Sequence, residues 1–160
     1  MSKGRKFEIS ADSTCDLYCD EIKSYDISVA PLDYVVTKDD EVVEERDNYT
    51  SYDQYVEFYN KLKNGCLAKT SILNVQAHVD LFTTLAKRGV KNLLHICQSY
   101  GLSPTLDNAN KAIEIVKQDY PDIDYVAIES RTTTVGEGMI VKSAIKLRDR
   151  ISELKLMLND

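Results

Sequence analysis

Glycine and proline are scarce in this 160-residue chain, with 6 and 3 copies, while 43% of its residues are apolar. That balance excludes collagen-like, low-complexity and disordered classes and leaves a globular chain long enough to bury a core. No stretch approaches the roughly 20 apolar residues of a membrane helix, and the N-terminus lacks the apolar segment of a signal peptide. Basic residues are outnumbered, 20 against 26 acids, for a net charge of −6. The one basic cluster, Lys3 to Lys6, is a terminal tail, so no face tracks the phosphates of a nucleic acid. Cys15, Cys19, Cys66 and Cys97 are scattered, without CxxC pairs or a Cys/His series, so no metal ligand set is read. Free thiols without an export signal point to the reducing cytoplasm.

Catalytic signatures are also missing. A P-loop needs Gly, four residues, then Gly-Lys-Ser/Thr, and the chain has none. Gly136-Glu137-Gly138 lacks a third glycine and lies too far past its strand for a dinucleotide turn. Thiol phosphatases hold phosphate with an Arg six residues after the cysteine; here those positions are Glu21, Ile72 and Ser103. A D-x-D phosphatase needs an acid where Thr14 stands. His78 falls in a helix and His95 in a strand, and both read as structural rather than as general bases. No catalytic residue set, cofactor or metal is expected.

What is present alternates strand with helix. Phe7 to Ser10 is a strand, and Asp12-Ser13-Thr14 can cap a segment starting near Cys15. Ile27 to Thr37 reads as two strand pieces broken at Pro31, with a hairpin return at Glu41 to Glu45. Tyr52, Tyr55, Val56, Tyr59 and Leu62 mark one face of a helix ended by Asn64-Gly65, and Val75, Val79, Phe82 and Leu85 mark another closed by Gly89. Asn92 to Cys97 and Asp124 to Glu129 are strands, separated by a helix from Ser103 to Tyr120 with Leu106, Ala109, Ile113 and Val116 facing in. This order predicts an α/β fold with a mostly parallel sheet and flanking helices, one domain over residues 1–160.

A long helix is predicted from about Val135 to the end. Ile140, Ala144, Leu147, Ile151, Leu154 and Leu158 step by 4, 3, 4, 3, 4, keeping one apolar seam toward a partner. The first turns could instead lie across the chain's own sheet. Beyond Arg150, Leu154, Leu156, Met157 and Leu158 still need cover, which predicts a homodimer through this helix or a further domain.

Ligands of open α/β sheets bind beyond the carboxyl ends of the strands. Three hydroxyl-rich segments fall there: Asp12-Ser13-Thr14, Gln98 to Thr105 and Glu129 to Thr134; a fourth, Lys69-Thr70-Ser71, precedes the helix at Val75. Each alone reads as a cap; together they suggest a site of neutral donors for a carboxylate or phosphate. Lys69 and Arg131 are the only nearby bases.

In order and spacing from about Lys6 to Ala144, these segments resemble the DegV family of bacterial fatty-acid-binding proteins. The D-S-T-x-D-L element is Asp12-Ser13-Thr14-Cys15-Asp16-Leu17, and V-x-P-L is Val29-Ala30-Pro31-Leu32. The E-F-Y helix carries Glu57-Phe58-Tyr59, the T-S pair is Thr70-Ser71, and a D-S element with a later G-x-G is matched by Glu129-Ser130 and Gly136-Glu137-Gly138. The S-S-x-L-S-G-T loop is Ser99-Tyr100-Gly101-Leu102-Ser103-Pro104-Thr105, with Tyr100 and Pro104 replacing a serine and a glycine. Leu73 and Asn74 stand where proline and serine are usual.

The resemblance implies a DegV-type ligand-binding domain, the N-terminal of the family's two. It implies a long-chain fatty acid whose carboxylate is held by Thr70, Ser71 and Ser99, with Tyr100, Gly101, Ser103, Thr105 and Asp12, Ser13 and Thr14 around them. Leu32, Leu73, Phe82 and Leu102 are candidates for the tail tunnel. It also implies a partner, an ATP-dependent fatty acid kinase that phosphorylates the presented acid for phospholipid synthesis. The family's second domain, which closes over the ligand and supplies basic contacts, is expected to be absent here. The chain would then be a fragment, a shortened relative, or a half that pairs with another subunit. The other function class is a small-molecule-binding or phospho-relay α/β enzyme subunit with a different ligand.

Overall fold

Three runs predicted as strands do share one parallel sheet. The computed structural model describes residues 7–39 and 41–157, with side chains to Glu153. β1 (Glu8–Asp12) lies between β2 (Ser28–Ala30) and β6 (Asn92–Cys97), and β7 (Asp124–Glu129) pairs with the far side of β6, all parallel. A second, antiparallel sheet holds β3 (Asp33–Lys38) between β4 (Glu41–Arg46) and β5 (Leu67–Thr70). The helices are α1 (Cys19–Tyr25), α2 (Tyr52–Lys63), α3 (Val75–Lys87), α4 (Thr105–Asp119) and α5 (Thr134–Met157).

The parallel sheet carries helices on both faces, as crossover connections require, although Val126 and Ile128 of the edge strand β7 stay exposed on one of them. Alternation along the strands divides its core in two. On one face Leu93, Cys97 and Tyr125 pack with Phe82, Leu85, Ala109, Ala112, Ile113 and Val116 of α3 and α4. On the other, Ile9, Ala11 and Ile96 pack with Val141 and Ile145 of α5.

Three details differ from expectation. The helix placed near Cys15 is only a 3-10 turn, Ser13–Cys15: Asp16 turns left-handed at φ 50° and α1 begins at Cys19. Asp12 caps no N–H there because Thr14 and the Gln98 amide occupy its oxygens. The second is Lys69-Thr70, which ends an edge strand rather than opening α3; Asn74 is the cap, accepting from the Ala77 amide at 2.9 Å. The third is α2, where Tyr52, Val56 and Tyr59 are exposed. Its inward contact is instead Phe58, edge-on to Tyr34 of β3 at 5.3 Å.

In α5, Glu137, Gly138, Val141, Ile145 and Arg148 face the protein. The buried Arg148 guanidinium donates to Tyr25 O at the end of α1 at 2.9 Å. The predicted seam is rotated away: Ala144 is half-buried, while Ile140, Leu147 and Ile151 are exposed. The side chains of Leu154, Leu156 and Met157, and all of Leu158, lie outside the described residues.

Gly138 sets how closely α5 approaches the 3-10 turn, since a Cβ there would stand 2.5 Å from Cys15 O. Backbone cannot swing aside as a side chain can. Gly138→Ala is therefore expected to destabilise the chain by about 1–3 kcal/mol, read as a lower urea midpoint at unchanged slope; an unchanged midpoint would mean the helix can back away freely.

Candidate functional site

β1, β6 and β7 end at one edge of the sheet, and the loops that follow converge there. Loop 98–104 and loop 130–133 are tied by Ser99 N donating to Thr132 O at 2.8 Å and Ser130 N to Cys97 O at 2.8 Å. Beside them, Thr14, Leu32, Thr70, Ser71, Ile72, Gln98, Leu102, Ser103 and Pro104 line a cleft of about 410 Å³. β5 delivers Thr70 and Ser71 to it, and Ser71 N is fixed to Asp33 O at 2.8 Å. Among the described residues no lysine or arginine lines it: Lys69 is exposed on β5, and Arg131 is exposed beside Glu129.

Of the residues singled out from sequence, Thr70, Ser71, Ser103 and Thr14 share this cleft. Ser99 is not among the residues that line it; its Oγ accepts from Gly101 N at 3.3 Å. Tyr100 projects into solvent, its hydroxyl donating to Asp107 at 3.2 Å. Thr105 is buried, its hydroxyl 2.9 Å from that of Ser103. Ser13 is buried and accepts from Leu32 N at 3.1 Å, joining the first loop to the start of β3. Leu32 and Leu102 border the cleft, while Phe82 belongs to the core and Leu73 is buried.

The donors in the cleft are mostly hydroxyls, because the amides of loop 99–103 are already engaged within the loop or by its neighbours. Ser99 N serves Thr132 O, Tyr100 N serves a Glu129 carboxylate oxygen at 2.7 Å, and Gly101 N serves Ser99 Oγ. Leu102 N and Ser103 N both serve Ser99 O. The α4 N-terminus adds a partial positive charge behind Ser103 and Pro104.

An acid cluster missed by sequence reading backs the cleft. Asp12 and Glu137 are both buried, and Thr14 Oγ1 lies 2.5 Å from Asp12 Oδ1 and 2.8 Å from Glu137 Oε2. One hydroxyl proton cannot serve two carboxylates, so a proton on Glu137 completes the set. Burial, then the neighbouring Asp12, pushes the Glu137 carboxyl up to about 10. A larger cavity of about 660 Å³ lies on the other side of Ser13, walled by Tyr18, Tyr49, Tyr52, Tyr55 and Tyr59 with Val29, Pro31 and Val135.

Residues 6–156 match a family model described as an uncharacterised protein of the DegV family. A DegV domain-containing protein of Clostridium perfringens is 30% identical over 144 residues, covering 90% of this chain and 48% of the relative. A stearic acid-binding protein from Eubacterium ventriosum superposes with a TM-score of 0.73 at 22% identity, over 90% of this chain and 48% of that one. The Fatty Acid Kinase (Fak) B3 protein of Streptococcus pneumoniae, loaded with linoleic acid, superposes with a TM-score of 0.63 at 22% identity, over 92% of this chain and 48% of that one. The chain thus spans about half the length of the relatives it matches.

Proposed function

The chain belongs to the DegV family, and we propose on that basis that it is a binding protein for a long-chain fatty acid, which it presents to a fatty acid kinase. The observation that carries this reading is the cleft itself: the hydroxyls of Thr70, Ser71 and Ser103, with that of Thr14 turned to Asp12 and Glu137, beside Leu32, Ile72 and Leu102, and no lysine or arginine among the described residues that line it. Neutral donors and a helix N-terminus can hold a carboxylate, and the apolar wall receives the start of an acyl chain at ~0.8 kcal/mol per buried CH₂. Ser99 shapes the loop that carries Ser103 through the bonds to its carbonyl. Thr14 lines the cleft and joins it to the buried Asp12.

The phospho-relay alternative would need an accessible acceptor. Asp12 is the aspartate at the strand end, and it is buried and held by Thr14 and Gln98 N. That burial favours binding over phosphoryl transfer. The exposed seam of α5 is assigned to a second copy of the chain.

Native mass spectrometry of purified protein should show a co-purified acid, and a fluorescent fatty acid should bind saturably. Each lost hydroxyl donor to a charged oxygen is worth about 1.5–3 kcal/mol, so Thr70→Ala and Ser71→Ala should each weaken binding by roughly 10- to 100-fold. Affinity unchanged in both variants would rule out this head-group assignment.

A further inference from the structure

Both histidines of the chain, and one of its four cysteines, meet inside the core. His95 and Cys97 are two apart on β6, so the pleat sends both to the face covered by α3. His78 lies on the buried stripe of α3, one turn before Phe82. All three side chains are buried, and one ligand atom from each falls within 4.8 Å of the other two. The two imidazoles stand edge-to-face with ring centres 5.1 Å apart.

Their hydrogen bonds set the protons. His78 Nδ1 is 2.9 Å from Asn74 O, which can only accept, so the proton is on Nδ1 and Nε2 carries a bare lone pair. His95 Nδ1 is 2.8 Å from Ser10 Oγ, which can accept from it and give the same tautomer. Both Nε2 atoms are buried without a hydrogen-bond partner among the described residues. A plain core would leave two such groups unsatisfied, which buried polar atoms rarely are. Nδ1 bound to a carbonyl or hydroxyl with Nε2 free is the arrangement that orients a metal-ligating imidazole.

We propose that His78, His95 and Cys97 form a buried two-nitrogen, one-sulfur site for a single soft d¹⁰ cation, Zn²⁺ or Cu⁺. Metal–nitrogen and metal–sulfur distances of ~2.0–2.3 Å require the donors to close in by about 1 Å, within reach of ring and thiol rotations. On binding, Cys97 gives up its S–H proton to solvent, and its thiolate and the two neutral imidazoles supply three electron pairs. The ion would pin α3 to the central strand of the sheet. This proposal is independent of the fatty-acid reading.

The test uses tag-free protein stripped with chelator, then titrated separately with Zn²⁺, with Cu⁺ under reducing conditions, and with Co²⁺ as a spectroscopic probe. The expected result is one equivalent of Zn²⁺ or Cu⁺ per chain, a raised melting temperature, and a sulfur-to-cobalt charge-transfer band. Binding should survive Cys19→Ser with Cys66→Ser and fall by ~100-fold or more in Cys97→Ala and in His78→Gln. If those two variants do not fold, the band in the Cys19→Ser, Cys66→Ser protein decides, since Cys15 and Cys97 are then the only thiols and Cys15 is outside the cluster. Absence of the band there, a stoichiometry below one, or binding lost with the Cys19 and Cys66 thiols would overturn the site.

Discussion

Glu137→Gln is expected to stabilise the folded chain at neutral pH, by on the order of 3 kcal/mol at pH 7. The carboxyl is buried beside Asp12 and holds its proton up to about pH 10, against an ordinary value of 4.5. Between those values the folded state binds a proton that the unfolded state has released. Stability must therefore fall as pH rises through this window, being fully present only below about 4.5. Glutamine is close to the same shape and keeps a donor toward Asp12, but it has no charge to lose on unfolding. The variant should be more stable than the parent and flatter in its pH dependence.

Urea unfolding between pH 7 and 8.5 isolates this effect. His78 and His95, whose pKa values are lowered, contribute only below about 6.5, where the unfolded imidazoles charge. Cys15, pushed up to about 12 by burial, contributes only near and above 9, where the unfolded thiol ionises. Equal stability of parent and variant at pH 8 would mean that Glu137 is ionised in the fold and paired with something else.

The fold was legible in the sequence wherever apolar runs were bounded by turns. β6, and β7 even though Val126 and Ile128 stay exposed on one of its faces, are such runs, and their pairing in one sheet with β1 followed from strand–helix alternation. The second sheet was half legible: Pro31 separated β2 from β3, but β5, Leu-Ala-Lys-Thr, is an exposed edge with no alternation to read. The face of α2 misled for a related reason. Tyr52, Val56 and Tyr59 line an open cavity, so periodicity found the helix and the wrong burial. At the site, Thr70 and Ser71 of the T-S pair line the cleft, yet nothing local told that the amides of loop 99–103 would already be engaged. Glu137 lay hidden inside a G-x-G pattern whose glycines drew attention; the helical position that faces inward was the signal. The His78, His95 and Cys97 cluster had a readable half, H-x-C on one face of a strand. Its third member depends on which helix crosses that face, which spacing alone does not give.

The dimer proposed for α5 makes the other large prediction. Ile140, Leu147 and Ile151 lie on a side of the helix that the chain's own sheet does not cover, with Leu147 58% exposed. The inward side is taken by Glu137, Val141, Ile145 and Arg148, so the helix cannot roll to bury the seam without exposing a buried arginine and a buried acid. A second copy is the occupant that a self-complementary stripe repeating at 4 and 3 residues fits, because two such helices interlock along their length. Burying a large aliphatic side chain contributes about 1.5–3 kcal/mol. Leu147 is 58% and Ile151 37% exposed, so covering what remains of both in each of two copies supplies roughly 3–6 kcal/mol of the association. Sedimentation equilibrium should give a dimer for the unaltered chain at micromolar concentration. Leu147→Asp with Ile151→Asp should give a monomer with the same circular dichroism, because neither position supports the core. A monomer before any substitution would defeat the proposal, and a dimer that survives both aspartates would move the interface to another face.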